Sequence, residues 1–288
     1  MDFFFTNLFN GITFGMVLFF ISAGMSIVLG IMGITNLAHG ALYATGAYMG
    51  WTIASKLDLP WGLAIVVGGL TGGLVGLFIE RVFLRVLYRQ PNEQVLVTFG
   101  FVLVIMNVIL WIWGGRVRMQ YTADWLKGAV EVGGVSLGKD RLFTLGLGLV
   151  VAAVLWYVQD RTRIGAMVRA GMDDKEMAQG LGINLPLVSA GVFFLASFLA
   201  GFAGVMGSQF IAPNPGLGLD TLLLALVVTI VGGTGAVQGA LLGGVLIGVL
   251  DTFGKSLFPE FGLFTMYLAM IVILLVRPRG LLGRKISS

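Results

Sequence analysis

The chain has 288 residues, of which 57% are hydrophobic and 11% charged, against roughly 25% charged in soluble domains. With no cysteine, disulfides, a thiolate metal site and a cysteine nucleophile are excluded. The net charge of +4 does not indicate nucleic acid, because the basic residues fall where membrane topology would put them and form no stripe.

The N-terminus, Met1-Asp2-Phe3-Phe4-Phe5, has no basic n-region and no cleavage site, so it does not read as a removable signal peptide. About nine apolar segments follow, over roughly 8–30, 34–55, 62–84, 95–113, 142–158, 187–211, 219–233, 236–253 and 262–276. A full crossing needs about 20 residues. Several segments are shorter, which leaves eight or nine crossings with one re-entrant pair. The expected fold is an all-α integral membrane protein, glycine-rich, with broken or re-entrant helices, forming one transmembrane domain over 1–288. Its 44 glycines are about twice the usual share of roughly 7%, and they suit close helix contacts in a bilayer.

Between the first two segments, Asn36 fits the N-cap of the second, leaving helix amides free to face a carboxylate. Capping alone explains it equally well. His39 is the sole histidine, so no histidine cluster can hold a metal. Packing or hydrogen bonding is its plainer role, although intramembrane ionisable groups also mark pathways. The pairs Gly11 and Gly15, Gly46 and Gly50, and the set Gly69, Gly73 and Gly76 read as packing ridges. Glu80 and Arg81 sit together at a cytoplasmic helix end, where both can snorkel.

Arg81, Arg85 and Arg89 form one basic cluster, Arg161, Arg163, Arg169 and Lys175 a second, and Arg277, Arg279, Arg284 and Lys285 a third. Nine crossings with the N-terminus outside place all three in the cytoplasm. The cost is an outward loop, 114–141, that carries Arg116, Arg118, Lys127, Lys139 and Arg141.

From Gln159 to Pro186 the chain leaves the apolar phase. Asp173 and Glu176 have capping-box spacing, and Gly180 and Gly182 can stop a helix. A short helix of about eight residues is therefore expected from Asp173. Met172, Met177, Ala178 and Leu181 would give it an apolar side with adaptable methionines. Asp174, Lys175 and Glu176 would give it a charged rim that fixes register on a partner. The plain alternative is a solvated loop.

Further on, Gly232-Gly233-Thr234-Gly235-Ala236-Val237-Gln238-Gly239-Ala240-Leu241 aligns without gaps to the stretch from Gly33 to Leu42, with five identities that include Thr35/Thr234 and Gly40/Gly239. Either this is an internal repeat of the kind transporters use around broken helices, or small-residue bias produces the match. On the first reading, Thr234 and Gln238 serve the function of Asn36 and His39 in the other half. Asp251 and Lys255, four apart, can pair on one helix face.

Three stretches carry a family resemblance. Ile34-Thr35-Asn36-Leu37-Ala38-His39-Gly40 resembles the N-F-A-H-G region of permeases in branched-chain amino-acid ABC transporters. The island with Gly182-Ile183-Asn184 resembles their cytoplasmic loop, and the block from Gly232 to Ala240 their second glycine-rich block. The likeness runs over essentially the whole chain and is greatest for LivH-type subunits. Leu37 and Gln238 stand where Phe and Pro are expected, which bears on substrate identity more than on fold.

The resemblance implies an ATP-driven importer in the bacterial cytoplasmic (inner) membrane. The expected partners are a homologous second permease, two cytoplasmic ABC ATPases that hold the ATP, and an extracytoplasmic substrate-binding protein. The loop 159–186 then corresponds to the importers' ATPase-coupling loop. Ile183-Asn184-Leu185-Pro186 matches that loop's I-x-L-P tail, whereas Met167, Val168, Arg169 and Asp173 stand where its E-A-A-x-x-x-G head would be. On this basis Arg169, Met172, Asp173, Asp174, Glu176, Met177, Leu181 and Gly182 are the coupling candidates. Asn36, His39, Gly40, Thr234, Gln238 and Gly239 are the candidates for the translocation path.

No G-x-x-x-x-G-K-S/T loop, H-E-x-x-H motif or nucleophile elbow occurs, so no cofactor, metal or catalytic residue is expected in this chain. Two alternatives remain: a permease for a related small solute (amide, urea or aromatic acid), and a stand-alone secondary transporter or channel. The scarcity of intramembrane ionisable residues disfavours the second.

Overall fold

The described residues, 2–33, 36–88, 90–132 and 135–282 of a computed structural model, contain eleven α-helices and one β-hairpin, with short 3-10 and π-helical turns between them. In chain order these are α1 (Asp2–Met32), α2 (His39–Trp51), α3 (Trp61–Val82), α4 (Pro91–Trp113), the hairpin β1 (Ala129–Val132) and β2 (Val135–Gly138), α5 (Lys139–Arg161), α6 (Arg163–Asp173), α7 (Lys175–Gly180), α8 (Leu185–Gly207), α9 (Leu217–Gly232), α10 (Val237–Leu257) and α11 (Gly262–Val276). A π-helical turn over Thr52–Lys56 prolongs α2. Six of these helices, α1, α3, α4, α5, α8 and α10, are long and apolar enough to cross a bilayer, and Leu217–Gly232 and Phe264–Val276 are shorter apolar helices. The architecture is that of an all-α integral membrane protein.

Glycine seams hold the bundle together. Lipid supplies little hydrophobic drive between helices, so association depends on close approach of backbones. Along α1, Gly11 lies against Val249 and Gly15 against Val245 and Gly244 of α10, so the two helices run antiparallel. Gly68 and Gly72 of α3 press on α8 near Val205, Ser197 and Gly201, while Gly69 and Gly73 receive the rings of Phe198 and Phe194. Gly46 of α2 meets Gly201 of α8, and Gly50 meets Val205 and Tyr121. The packing ridges expected at Gly11/Gly15, Gly46/Gly50 and Gly69/Gly73/Gly76 are all present. The seams bury α1 and α8 at the centre, while α4 and α5 turn large apolar side chains such as Leu103, Trp111, Val150 and Val154 outward.

The long loop that follows α4 is more ordered than its composition implies. Ala129 pairs with Gly138 and Val130 with Leu137 in an antiparallel ladder, and Arg118 N donates to Pro213 O at 2.8 Å. At this end Trp61, Trp125 and Phe143 form an edge-to-face cluster. Beside it lies an open cavity of about 660 Å³ whose lining includes Asp58, Trp61, Tyr121, Asp124 and Lys127. The opposite ends of α3 and α5 carry Glu80 and the polar segment with α6 and α7.

At that second end, Glu80 does not snorkel. Its side chain is fully buried and its Oε1 accepts the Tyr88 hydroxyl. Arg81 Nε stands 3.7 Å from Oε2, near enough for ion pairing but too far for a hydrogen bond. Burial, and then the bond to Glu80, push the Tyr88 phenol well above its usual value, so it remains a proton donor. The Asp251–Lys255 pair forms as expected, with Nζ 2.6 Å from Oδ2.

Candidate functional site

The polar segment folds as two helices, where the sequence reading anticipates one. Thr162 caps α6, its Oγ1 accepting from Gly165 N at 3.2 Å. Gly165 is forced by the corner: a Cβ there would lie 2.1 Å from Gln159 O. Gly165, Val168 and Gly171 face inward, a spacing that fits one helix face.

The cap of α7 is Asp174, one residue later than expected. Its Oδ1 accepts from Glu176 N and Met177 N, both at 2.9 Å. Asp173 is instead the last residue of α6. The helix is correspondingly shorter, six residues ending at Gly180. Ala178, expected on the docking side, is buried and anchors the turn through Ile183 N, which donates to Ala178 O at 3.1 Å. Met177 and Leu181 remain outward, 61% and 74% exposed, with the exposed Glu176 beside them. Gly182 adopts φ +84° and its Cβ position is open. The side chain of Met172 lies outside the described residues. Arg169 points back toward α5, where its Nη1 donates to Gln159 O and sits 3.9 Å from Asp160 Oδ1.

The six path candidates fall at two chain breaks, Asn36 and Thr234 within them and His39, Gly40, Gln238 and Gly239 in the first turns of α2 and α10. Asn36 does not cap α2: the N-cap position is Ala38. Asn36 Oδ1 accepts from Ala38 N at 3.1 Å, an Asx turn just ahead of the helix. His39 is buried, with Nε2 2.8 Å from Ile21 O of α1. Gly40 is pressed on α9, where a Cβ would stand 1.9 Å from Gly218 O. Ile34 and Thr35 lie outside the described residues.

At the second break, Gly239 of α10 packs on Gly232 of α9, where a Cβ on Gly239 would stand 2.4 Å from Gly232 O. Thr234 is exposed and Gln238 partly so, with Gln238 Nε2 donating to Asp160 Oδ2 at 3.3 Å. Thus Thr234 and Gln238 adjoin the polar segment, while Asn36, His39 and Gly40 sit among α1, α4 and α9. None of the six lines the 660 Å³ cavity. The first turn after each break carries its glycine, at Gly40 and Gly239, against α9.

Sequence reasoning missed the residue that joins these parts. Gln159 Nε2 donates to Gly235 O at 2.8 Å, and its Oε1 accepts from Val237 N at 3.1 Å. An amide at the end of an apolar segment was the only local signal.

A model of the branched-chain amino acid transport system / permease component family matches residues 7–276. The chain belongs to this family. It is 29% identical to the high-affinity branched-chain amino acid transport system permease protein LivH of Salmonella typhimurium, over 98% of this chain and 96% of that one. It is also 29% identical to BraD of Pseudomonas aeruginosa, over 96% and 95%. More distantly, it is 27% identical to the ribose import permease protein RbsC of Haemophilus influenzae, over 80% and 72%. Among solved structures, a chain in PsaBC from Streptococcus pneumoniae, in complex with Fab, superposes with a TM-score of 0.53 over 96% of this chain and 92% of that one. At 12% identity that likeness concerns the fold alone. This permease is therefore a LivH-type, multi-pass membrane protein.

Proposed function

We propose that this permease forms half of the translocation path of an ATP-driven importer for branched-chain or other hydrophobic amino acids in the bacterial cytoplasmic membrane. The observation that carries the reading is α7, a capped knob that holds the apolar Met177 and Leu181 out into solvent at the end of the bundle. An exposed apolar pair with a charged rim is what a docking surface needs. Cytoplasmic ATPases are its proposed partners, since the chain has no phosphate-binding loop of its own. The path lies between this chain and a homologous second permease. The end with the aromatic cluster and the open cavity faces the substrate-binding protein.

The test is reconstitution of the permease pair with its ATPases and binding protein in liposomes. ATP-dependent leucine uptake is expected, together with loss of ATPase co-purification on Met177→Asp/Leu181→Asp. Uptake that persists without any ATPase would sink the importer reading. The similarity to a ribose permease supports a second reading, a small polar solute as cargo, for which the binding protein's ligand profile is the discriminating measurement.

A further inference from the structure

The break between α9 and α10 is held almost entirely from outside itself. Gln159 spans it, its amide nitrogen bonded to Gly235 O and its amide oxygen to Val237 N. Ser26 of α1 holds the same turn: Gly235 N donates to Ser26 Oγ at 3.0 Å, and Ser26 Oγ donates to Gly233 O at 3.3 Å. The C-terminal stretch closes α9, with Leu281 N donating to Val231 O at 2.7 Å and Leu282 N to Gly232 O at 3.1 Å. Gly233 and Gly235 take φ +93° and +85°, so the turn is built on backbone that few other residues adopt.

The other side of Gln159 belongs to α6. Its carbonyl accepts Arg169 Nη1, and the α5–α6 corner is closed tightly on it by Gly165. Asp160, next in sequence, accepts Gln238 Nε2 and stands within ion-pair reach of Arg169. Val237 N is a first-turn amide of α10 and has no partner within its own helix. Val237 is buried, so separating Gln159 from it would leave an unsatisfied donor. A displacement of α6 that keeps the Arg169–Gln159 link therefore carries the break with it or gives up the bonds to Gly235 and Val237.

We infer that Gln159 is the positioning residue that transmits movement of the α6–α7 knob to the α9–α10 break. This rests on the ATPase-coupled reading above. Gln159 acts through Gly235 and Val237. Its amide is suited to the task because it donates on one side of the turn and accepts on the other. Glutamate would keep only the acceptor, and leucine would keep neither.

The experiment uses both permeases, the ATPases and the binding protein assembled in liposomes, with every partner subunit cysteine-free, and hydrolysis and uptake are measured on complexes that keep Thr234. Thr234, exposed in the break, is replaced in Thr234→Cys and spin-labelled, which is selective because the chain has no cysteine. In the otherwise wild-type complex, ATP with vanadate should shift the label's mobility. In Gln159→Leu the shift should vanish while ATP hydrolysis stays within about twofold, and leucine taken up per ATP should fall at least about tenfold. Gln159→Glu, a milder change, should give a partial loss of both signals. An undiminished label shift in Gln159→Leu and Gln159→Glu overturns the inference. So does a proportional fall in hydrolysis and uptake with loss of the complex on gel filtration in both variants, because that is a purely structural role. If the Gln159 complex itself shows neither ATP-driven shift nor uptake, the coupled reading falls and this inference with it. A working Gln159 complex with unaffected variants removes the inference alone.

Discussion

The two chain breaks look alike in sequence and are built differently. After the second, α10 folds straight back on α9: Gly232 sits on Gly239, and Gly243 on Gly232. After the first, α2 turns away from α1 and packs on α8, α3 and α9. The first break is fastened to the bundle interior, by Thr98 Oγ1 accepting Leu37 N at 3.3 Å and by the His39 ring at Ile21 O. The second is fastened to the polar segment through Gln159. Two glycine-rich turns of similar sequence thus differ in their fastenings. The first is tied to α4 and α1, and the second to Ser26 of α1 and, through Gln159, to the face that is proposed to receive the ATPases.

The sharpest break of this comparison is Gly232→Val. A Cβ at this position would stand 2.2 Å from Gly239 O, and backbone cannot yield as a side-chain tip does. The expected cost is about 3 kcal/mol or more, read as loss of a monodisperse peak after detergent extraction. A normal peak would mean that the hairpin is looser than its contacts indicate.

Thr98→Val tests the other side of the contrast. It removes the acceptor for Leu37 N without changing side-chain volume, so about 1–2 kcal/mol of stability should be lost. The change leaves in place the buried cluster that Ala38 of the first break shares with Val168 of the polar segment, so uptake per ATP should be unchanged. A fall in that ratio as large as that expected for Gln159→Leu would erase the distinction between the two breaks.

Gly182→Val acts on the knob itself. The position is open, so the penalty comes from φ +84° alone, about 1–2 kcal/mol for an L-residue with a branched Cβ. The turn into α8 should relax and misdirect Met177 and Leu181. Membrane levels on an immunoblot should hold while uptake per ATP falls several-fold. Unchanged transport would count against docking by α7.

How much of this was legible follows from the range of the interactions. The nine apolar segments were readable because hydropathy is local, and each has its helix. Their ends ran short, as at α5, where Lys139-Asp140-Arg141 and Gln159-Asp160-Arg161 lie inside the helix but outside an apolar window. The cap of α7 slipped by one because Asp173 and Asp174 are adjacent and both precede Glu176, and only the side-chain bonds distinguish them. Helix α6 was missed because its inward face is Gly165, Val168 and Gly171, and two glycines give almost no hydrophobic period. Glu80 was misplaced because its partner, Tyr88, lies beyond the helix end. The Gln159 bridge spans 76 and 78 residues in sequence, and a single chain without contacts has no signal at that range.

The smallest expected effect is also the cleanest probe of the repeat. Gly33 and Gly232 align in sequence, yet Gly232 is wedged against α10 while no described residue lies within 4 Å of a Cβ at Gly33. Gly33→Ala then meets only the conformational cost of φ +67°, about 1 kcal/mol, partly offset by a less flexible unfolded chain. A melting shift of a few degrees or less is expected, with assembly intact. If Gly33→Ala were instead as damaging as Gly232→Val, the first break would have to close against a surface that this chain alone does not supply. The two turns would then be equivalent in the assembled transporter, and their resemblance would be functional symmetry, not shared composition.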